Sequence, residues 1–150
     1  NRECLFGEIK NGDVILNDAG KMIKKIWNEI PIYYENFNID DFIIMPNHLH
    51  GIIVIDYTLK INPCDYSNTG QSRGIALTKV LLSEIIQKFK SLTTKLYING
   101  VNNNNWKTFY KRLWHRNYYE HIIRNDIELN RIREYILNNP LNRDTDEYFI

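Results

Sequence analysis

The sequence predicts an α+β domain, an antiparallel sheet with helices on one face. Two observations carry that expectation. Three stretches repeat apolar residues at three-to-four spacing, and two runs rich in β-branched and aromatic residues meet at a single Pro-Asn step. With 150 residues, of which 43% are hydrophobic, the chain has the size of one core-forming domain, and a single domain over residues 1–150 is expected.

The first helix is expected over Asn17–Ile30, "NDAGKMIKKIWNEI". An Asn-Asp start precedes Met22, Ile23, Ile26, Trp27 and Ile30 on one face, and Pro31 closes it. The runs "YYENFNIDDFIIM" and "HLHGIIVID" read as two strands of a hairpin turning at Pro46-Asn47. Residues 57–74 are polar, lack periodicity and carry Pro, Gly, Ser and Asn, so a loop is expected there. From Ala76 to Leu96, Leu77, Val80, Leu81, Ile85, Ile86, Phe89 and Leu92 recur at helical spacing, with Lys79, Lys88, Lys90 and Lys95 among the remaining positions. "NGVNNNN" at 99–105 predicts a second loop, and "LWHRNYYEHII" from Leu113 a third strand. Asp126 then caps a last helix, "DIELNRIREYILNN", which Pro140 ends. No internal repeat is visible.

The longest purely aliphatic run, Ile52 to Ile55, is far short of the ~20 residues a membrane helix needs. With no basic-then-apolar leader at its start, the chain is expected to be cytoplasmic and to have no membrane partner. Cys4 and Cys64 stand far apart without zinc-like spacing, which indicates neither a disulfide framework nor a zinc site. The net charge of +1 conceals a strong asymmetry, because residues 76–125 carry 9 basic and 2 acidic side chains. Such a segment suits a phosphate-binding face, and equally a solvated lysine-rich helix. Lys88, Lys90, Arg116 and Arg124 are the candidate phosphate contacts, whereas Trp114 is read as a core residue.

"MPNHLH", residues 45–50, sets two histidines one residue apart at the start of a strand. Strand side chains alternate faces, so His48 and His50 point the same way. Side by side they form either a hydrogen-bonded pair or two ligands of one metal ion. On the last helix Tyr135 and Asn139, four apart, share a face beside the apolar stripe Leu129, Ile132 and Ile136. Asn139 is either a cap before Pro140 or a third ligand through its amide oxygen, with Tyr135 one turn away.

"IIMPNHLHGIIVI", "LWHRNYYEHIIRND" and "REYILNNPLNR" together resemble the single-tyrosine HUH transposases, most closely the REP-associated tyrosine transposase branch. The resemblance spans essentially the whole chain. It implies a ferredoxin-like (RRM-like) sheet with a C-terminal catalytic helix, a divalent metal (Mg²⁺ or Mn²⁺) on His48, His50 and Asn139, and Tyr135 as nucleophile. "NRECLFGEI" matches the family's segment just after its first strand, so the sheet here is expected to lack that strand. The implied partner is single-stranded DNA with hairpin structure, and a homodimer is allowed for.

The implied reaction is DNA cleavage and strand transfer through a 5′-phosphotyrosine. A tyrosine has an ordinary pKa of about 10, so Tyr135 needs its proton withdrawn or its phenolate stabilised. Tyr110, Tyr118 and Tyr119 are rival tyrosines, and the Tyr118-Tyr119 pair equally suits stacking on bases. Two other classes stand beside this one. A non-catalytic single-stranded DNA or RNA binder would use the same sheet without metal. A nucleotide hydrolase would need a further histidine in register, and His115 and His121 fall on a separate predicted strand.

Overall fold

A computed structural model describes residues 3–56 and 73–142, with side chains in the second stretch from residue 82. It is α+β, with two two-stranded antiparallel sheets. β1 (Gly7–Lys10) and β2 (Asp13–Leu16) form a hairpin that the hydrophobic pattern had not suggested. Its turn is Asn11-Gly12, with φ of 54° and 84°, and this pair of left-handed residues matches the right-handed twist of the strands.

Asn17 ends the hairpin and starts α1 (Asp18–Asn28), its side-chain oxygen accepting from the Gly20 amide at 2.9 Å. Pro31 does not simply stop this helix. It sits in the first turn of α2 (Ile30–Tyr33), where its missing N–H costs nothing. β3 (Phe37–Ile44) and β4 (Leu49–Ile55) form the expected hairpin, pairing Ile44 with Leu49 and Ile43 with His50. The Met45 amide donates to the His48 carbonyl at 2.9 Å across the Pro46-Asn47 turn. Pro46 is itself fully buried, and its carbonyl accepts from the amides of Leu5 and Phe6 at 2.8 and 2.9 Å. The segment before β1 is thereby tied to the turn that precedes the histidines.

α3 (Arg73–Asn104) is longer than its periodicity suggested, and the loop expected at 99–105 is its last turn. Asparagine is a poor helix former but no breaker. Here Asn103 donates to the Asn99 carbonyl at 3.1 Å, and the helix stops only where Asn105 turns left-handed at φ 54°. Of the loop expected at 57–74, residues 57–72 lie outside the described residues, as do Cys64 and the Lys79 side chain, while 73 and 74 belong to α3.

The third strand does not form. Residues 105–125 run instead as an irregular strap against α3. Tyr97 donates its hydroxyl to the Lys107 carbonyl at 2.9 Å, Trp114 its indole N–H to Thr93 Oγ1 at 2.9 Å, and Lys90 its ammonium to the carbonyls of His115 and Asn117 at 2.9 and 3.4 Å. The aromatic and β-branched content that suggested a strand serves other ends. Trp114 packs between Phe6 and Phe89, with ring centroids 5.2 and 5.7 Å away, so tertiary contacts override local β preference.

α4 (Asp126–Asn138) is capped by Asn125, one residue earlier than expected. Its place departs from a sheet with every helix on one face. Trp27 of α1 lies so close to Gly51 that a Cβ there would come within 2.6 Å of the indole, whereas Tyr135 of α4 touches the neighbouring His50. Consecutive strand residues face opposite ways. α1, with α3 joined to it through the Trp27–Phe89 contact at 5.2 Å, therefore covers one face of the β3–β4 hairpin, and α4 covers the other. The main core, with Ile23, Trp27, Ile85, Phe89 and Tyr97, fills the first side.

Candidate active site

The α4 side of the hairpin carries the histidines. Their rings stand nearly perpendicular with centroids 4.6 Å apart, and the two Nε2 atoms are separated by 2.9 Å. His48 Nδ1 lies 2.6 Å from the Asn47 side-chain oxygen. An amide oxygen only accepts, so Nδ1 carries the proton and the Nε2 lone pair of neutral His48 is directed at His50. Outer partners of this kind orient metal-binding imidazoles. Sequence reasoning passed over Asn47 as a turn residue, although it belongs to the same "MPNHLH" stretch.

Tyr135 reaches the pair from α4, its ring centroid 5.4 Å from that of His50 in an edge-on contact. It is 48% exposed, so one side of the phenol remains open to a large substrate. One turn further along the same helix, Asn139 is only 1% exposed, and among the described residues neither its amide oxygen nor its amide nitrogen has a hydrogen-bond partner. Buried amides are rarely left so, because the lost hydration costs about 1–3 kcal/mol per orphaned group.

These residues fit a divalent metal on two counts. Ligand atoms about 2.1 Å from an octahedral ion and at right angles to one another stand about 3 Å apart, close to the Nε2 separation. The orphaned Asn139 amide supplies a buried oxygen in want of a cation or donor. Among the described residues no group of three or more His, Cys, Asp or Glu side chains stands where it could hold a metal ion.

Asp40 and Arg133 hold α4 in position. Arg133 donates from Nε to Asp40 Oδ1 at 3.0 Å and from its terminal nitrogen to Oδ2 at 2.6 Å, a two-pronged pair across the interface of α4 and β3. The pair occurs where β3 loses register with β4, between Ile39 and Phe42, an irregularity that re-aims side chains. Hydrogen bonding to Arg133 holds the Asp40 carboxyl below its ordinary pKa. Nothing in the sequence paired residues this far apart.

The candidate phosphate contacts do not converge on this cluster. Lys88 lies over the Tyr34 ring at 5.5 Å, on the α2 flank of α3. Lys90, two residues on, faces the strap, where it holds two carbonyls and burial pushes its pKa down. Arg116 is exposed on the strap. Arg124 precedes α4, its backbone amide donating to Glu128 at 3.0 Å. Glu128 in turn lies 2.7 Å from His121 Nε2.

An uncharacterized protein of Haemophilus influenzae is 39% identical over 154 residues, a match that covers all of this chain and 80% of that protein. The chain matches no protein-family profile and no solved structure. Among the described residues no helix is long and apolar enough to cross a membrane.

Proposed function

The chain belongs to the same family as the uncharacterized Haemophilus influenzae protein, and we propose that it cleaves and rejoins single-stranded DNA in a metal-dependent reaction with Tyr135 as nucleophile. The observation that carries this reading is the meeting of Tyr135 with the paired His48 and His50, one helical turn before an Asn139 amide that is buried without a partner among the described residues. The β3–β4 hairpin, entered from α1 and left towards α3, is read as the centre of a ferredoxin-like (RRM-like) sheet.

His48, His50 and Asn139 would hold Mg²⁺ or Mn²⁺. Bound there, the ion supplies positive charge that polarises a phosphate oxygen. The chain's own residues do the rest. Asn47 keeps His48 in the tautomer whose Nε2 lone pair faces His50. The Asp40–Arg133 pair sets the depth at which α4 presents its phenol. The Tyr135 oxygen attacks phosphorus in line with the leaving 3′ oxygen. Its proton passes to solvent, the P–O3′ bond breaks, and the leaving 3′ oxygen takes a proton from solvent to become a hydroxyl while the 5′ phosphate stays on the tyrosine. The ester conserves the energy of the broken bond, so another 3′-hydroxyl can reverse the step without a nucleotide cofactor.

The test is covalent capture. Incubating internally labelled single-stranded hairpin DNA with protein and Mn²⁺, then denaturing, should yield a protein–DNA adduct that is absent without metal and absent from Tyr135→Phe. The substitution removes one oxygen from a half-exposed side chain and keeps the ring that meets His50, so the variant should remain folded. An adduct that persists in the variant and maps to Tyr118 or Tyr119 would move the nucleophile to the strap. Binding without any adduct would leave the non-catalytic single-strand binder as the better reading.

A further inference from the structure

Away from the histidine cluster, exposed rings and cations concentrate on the strap. Tyr110 and Tyr119 are 73% and 76% exposed, and Lys111, Arg112 and Arg116 are exposed between them. A cavity of about 430 Å³ opens where the strap meets α3, lined by these three cations and His115, with Phe109 and Trp114 also in its wall. Among the described residues no carboxylate lines it. An acid-free cleft so rich in cations attracts a polyanion.

The backbone supports the same reading. The Arg112 amide donates to the Tyr110 carbonyl at 2.7 Å, closing a three-residue turn with Lys111 at φ 60° at its centre. A non-glycine residue there is strained, and such strain persists where neighbouring structure enforces it, commonly at binding sites. The enforcing contacts are Lys90 on two strap carbonyls and Trp114 on Thr93. They spend one cation on holding the strap and leave Lys111, Arg112 and Arg116 at the surface. Tyr118 is also engaged, with Lys90 Nζ 5.4 Å from its ring centroid, and Lys111 Nζ lies 5.0 Å from the Tyr110 centroid, over a single face of that exposed ring.

We propose that the strap is a binding surface for single-stranded nucleic acid, with phosphates on Lys111, Arg112 and Arg116 and bases stacked on Tyr110 and Tyr119. This deepens the proposed function and rests on it for the choice of nucleic acid. Exposed tyrosine rings alternating with cations suit unpaired bases, whose faces are open, whereas a duplex offers only its phosphates.

The experiment is fluorescence anisotropy on the whole chain without metal, using an oligothymidine of about twenty nucleotides and a duplex of equal length. The triple variant Lys111→Ala, Arg112→Ala, Arg116→Ala should bind the single strand at least tenfold more weakly and lower the slope of log affinity against log salt by about two, at ~0.7 per lost phosphate contact. Replacing Tyr110 and Tyr119 by Ala should weaken single-strand binding fivefold or more and leave duplex binding within about twofold, and replacing both by Phe should restore the parent value. An unchanged salt slope, or tyrosine variants that weaken both ligands alike or neither, would overturn the assignment. Loss of strap binding in a protein that forms no covalent adduct would sink the catalytic reading alone. An adduct that forms normally in strap variants with unaltered DNA affinity would sink the strap alone.

Discussion

Replacing Asn139 by Leu should make the metal-free protein more stable and abolish its response to metal. Both polar atoms of the Asn139 amide are buried without partners among the described residues, and each such group costs about 1–3 kcal/mol. A leucine of similar volume removes both costs at the expense of local repacking, typically below about 1.5 kcal/mol for volume-conserving changes. A net gain of about 2 kcal/mol is expected. In a chain of 150 residues each kcal/mol moves the melting temperature by roughly 2–4 °C, so the variant should melt about 4–8 °C higher. For the parent, Mn²⁺ at a hundredfold excess over its dissociation constant should add about 2.7 kcal/mol, a rise of roughly 5–10 °C. Calorimetric melts of both proteins, with and without Mn²⁺, separate the two effects: the substitution raises the metal-free melting temperature, and Mn²⁺ raises that of the parent alone. A variant that is destabilised by 2 kcal/mol or more and still rises with Mn²⁺ would refute the reasoning, since Asn139 would then be a structural amide and no ligand.

Two further perturbations address the elements that frame the site. Asp40→Asn should remove one component of the pH dependence of stability. Arg133 lowers the folded-state pKa of Asp40, so the pair's contribution is present above the ordinary carboxylate value of about 4 and is lost as pH falls through the lowered folded value. Denaturant midpoints of parent and variant should differ at pH 7 and converge in strong acid, and a constant gap would show that the pair's charge contributes nothing. Gly51→Ala should destabilise the fold by about 1–3 kcal/mol, because the new methyl would come within 2.6 Å of the Trp27 ring across the hairpin. A thermal melt unchanged within error would mean that Trp27 moves aside freely.

The parts legible in the sequence are those whose signals are local. The periodicity of α1, α3 and α4 and the β-rich runs of β3 and β4 lie within single segments, and each places its element to within a few residues, except that α3 runs on through its asparagines to 104. The shared face of His48 and His50 follows from strand alternation alone, and that of Tyr135 and Asn139 from the helical repeat. The Asn11-Gly12 turn was equally local and equally readable, yet its four-residue strands are too short for a pattern of hydrophobicity to stand out. What only the tertiary structure decided is how these segments meet. The run at 113–123 has a strand's composition, but α3 side chains hold its carbonyls and take its tryptophan into the core, so it folds as a strap. That His50 meets Tyr135, that α4 takes the face opposite α1, and that Asp40 binds Arg133 from 93 residues away all depend on packing between elements. Propensity and periodicity act over a few residues, whereas the contacts that assemble this site join residues distant in the chain and exist only once the hairpin has a helix on each side.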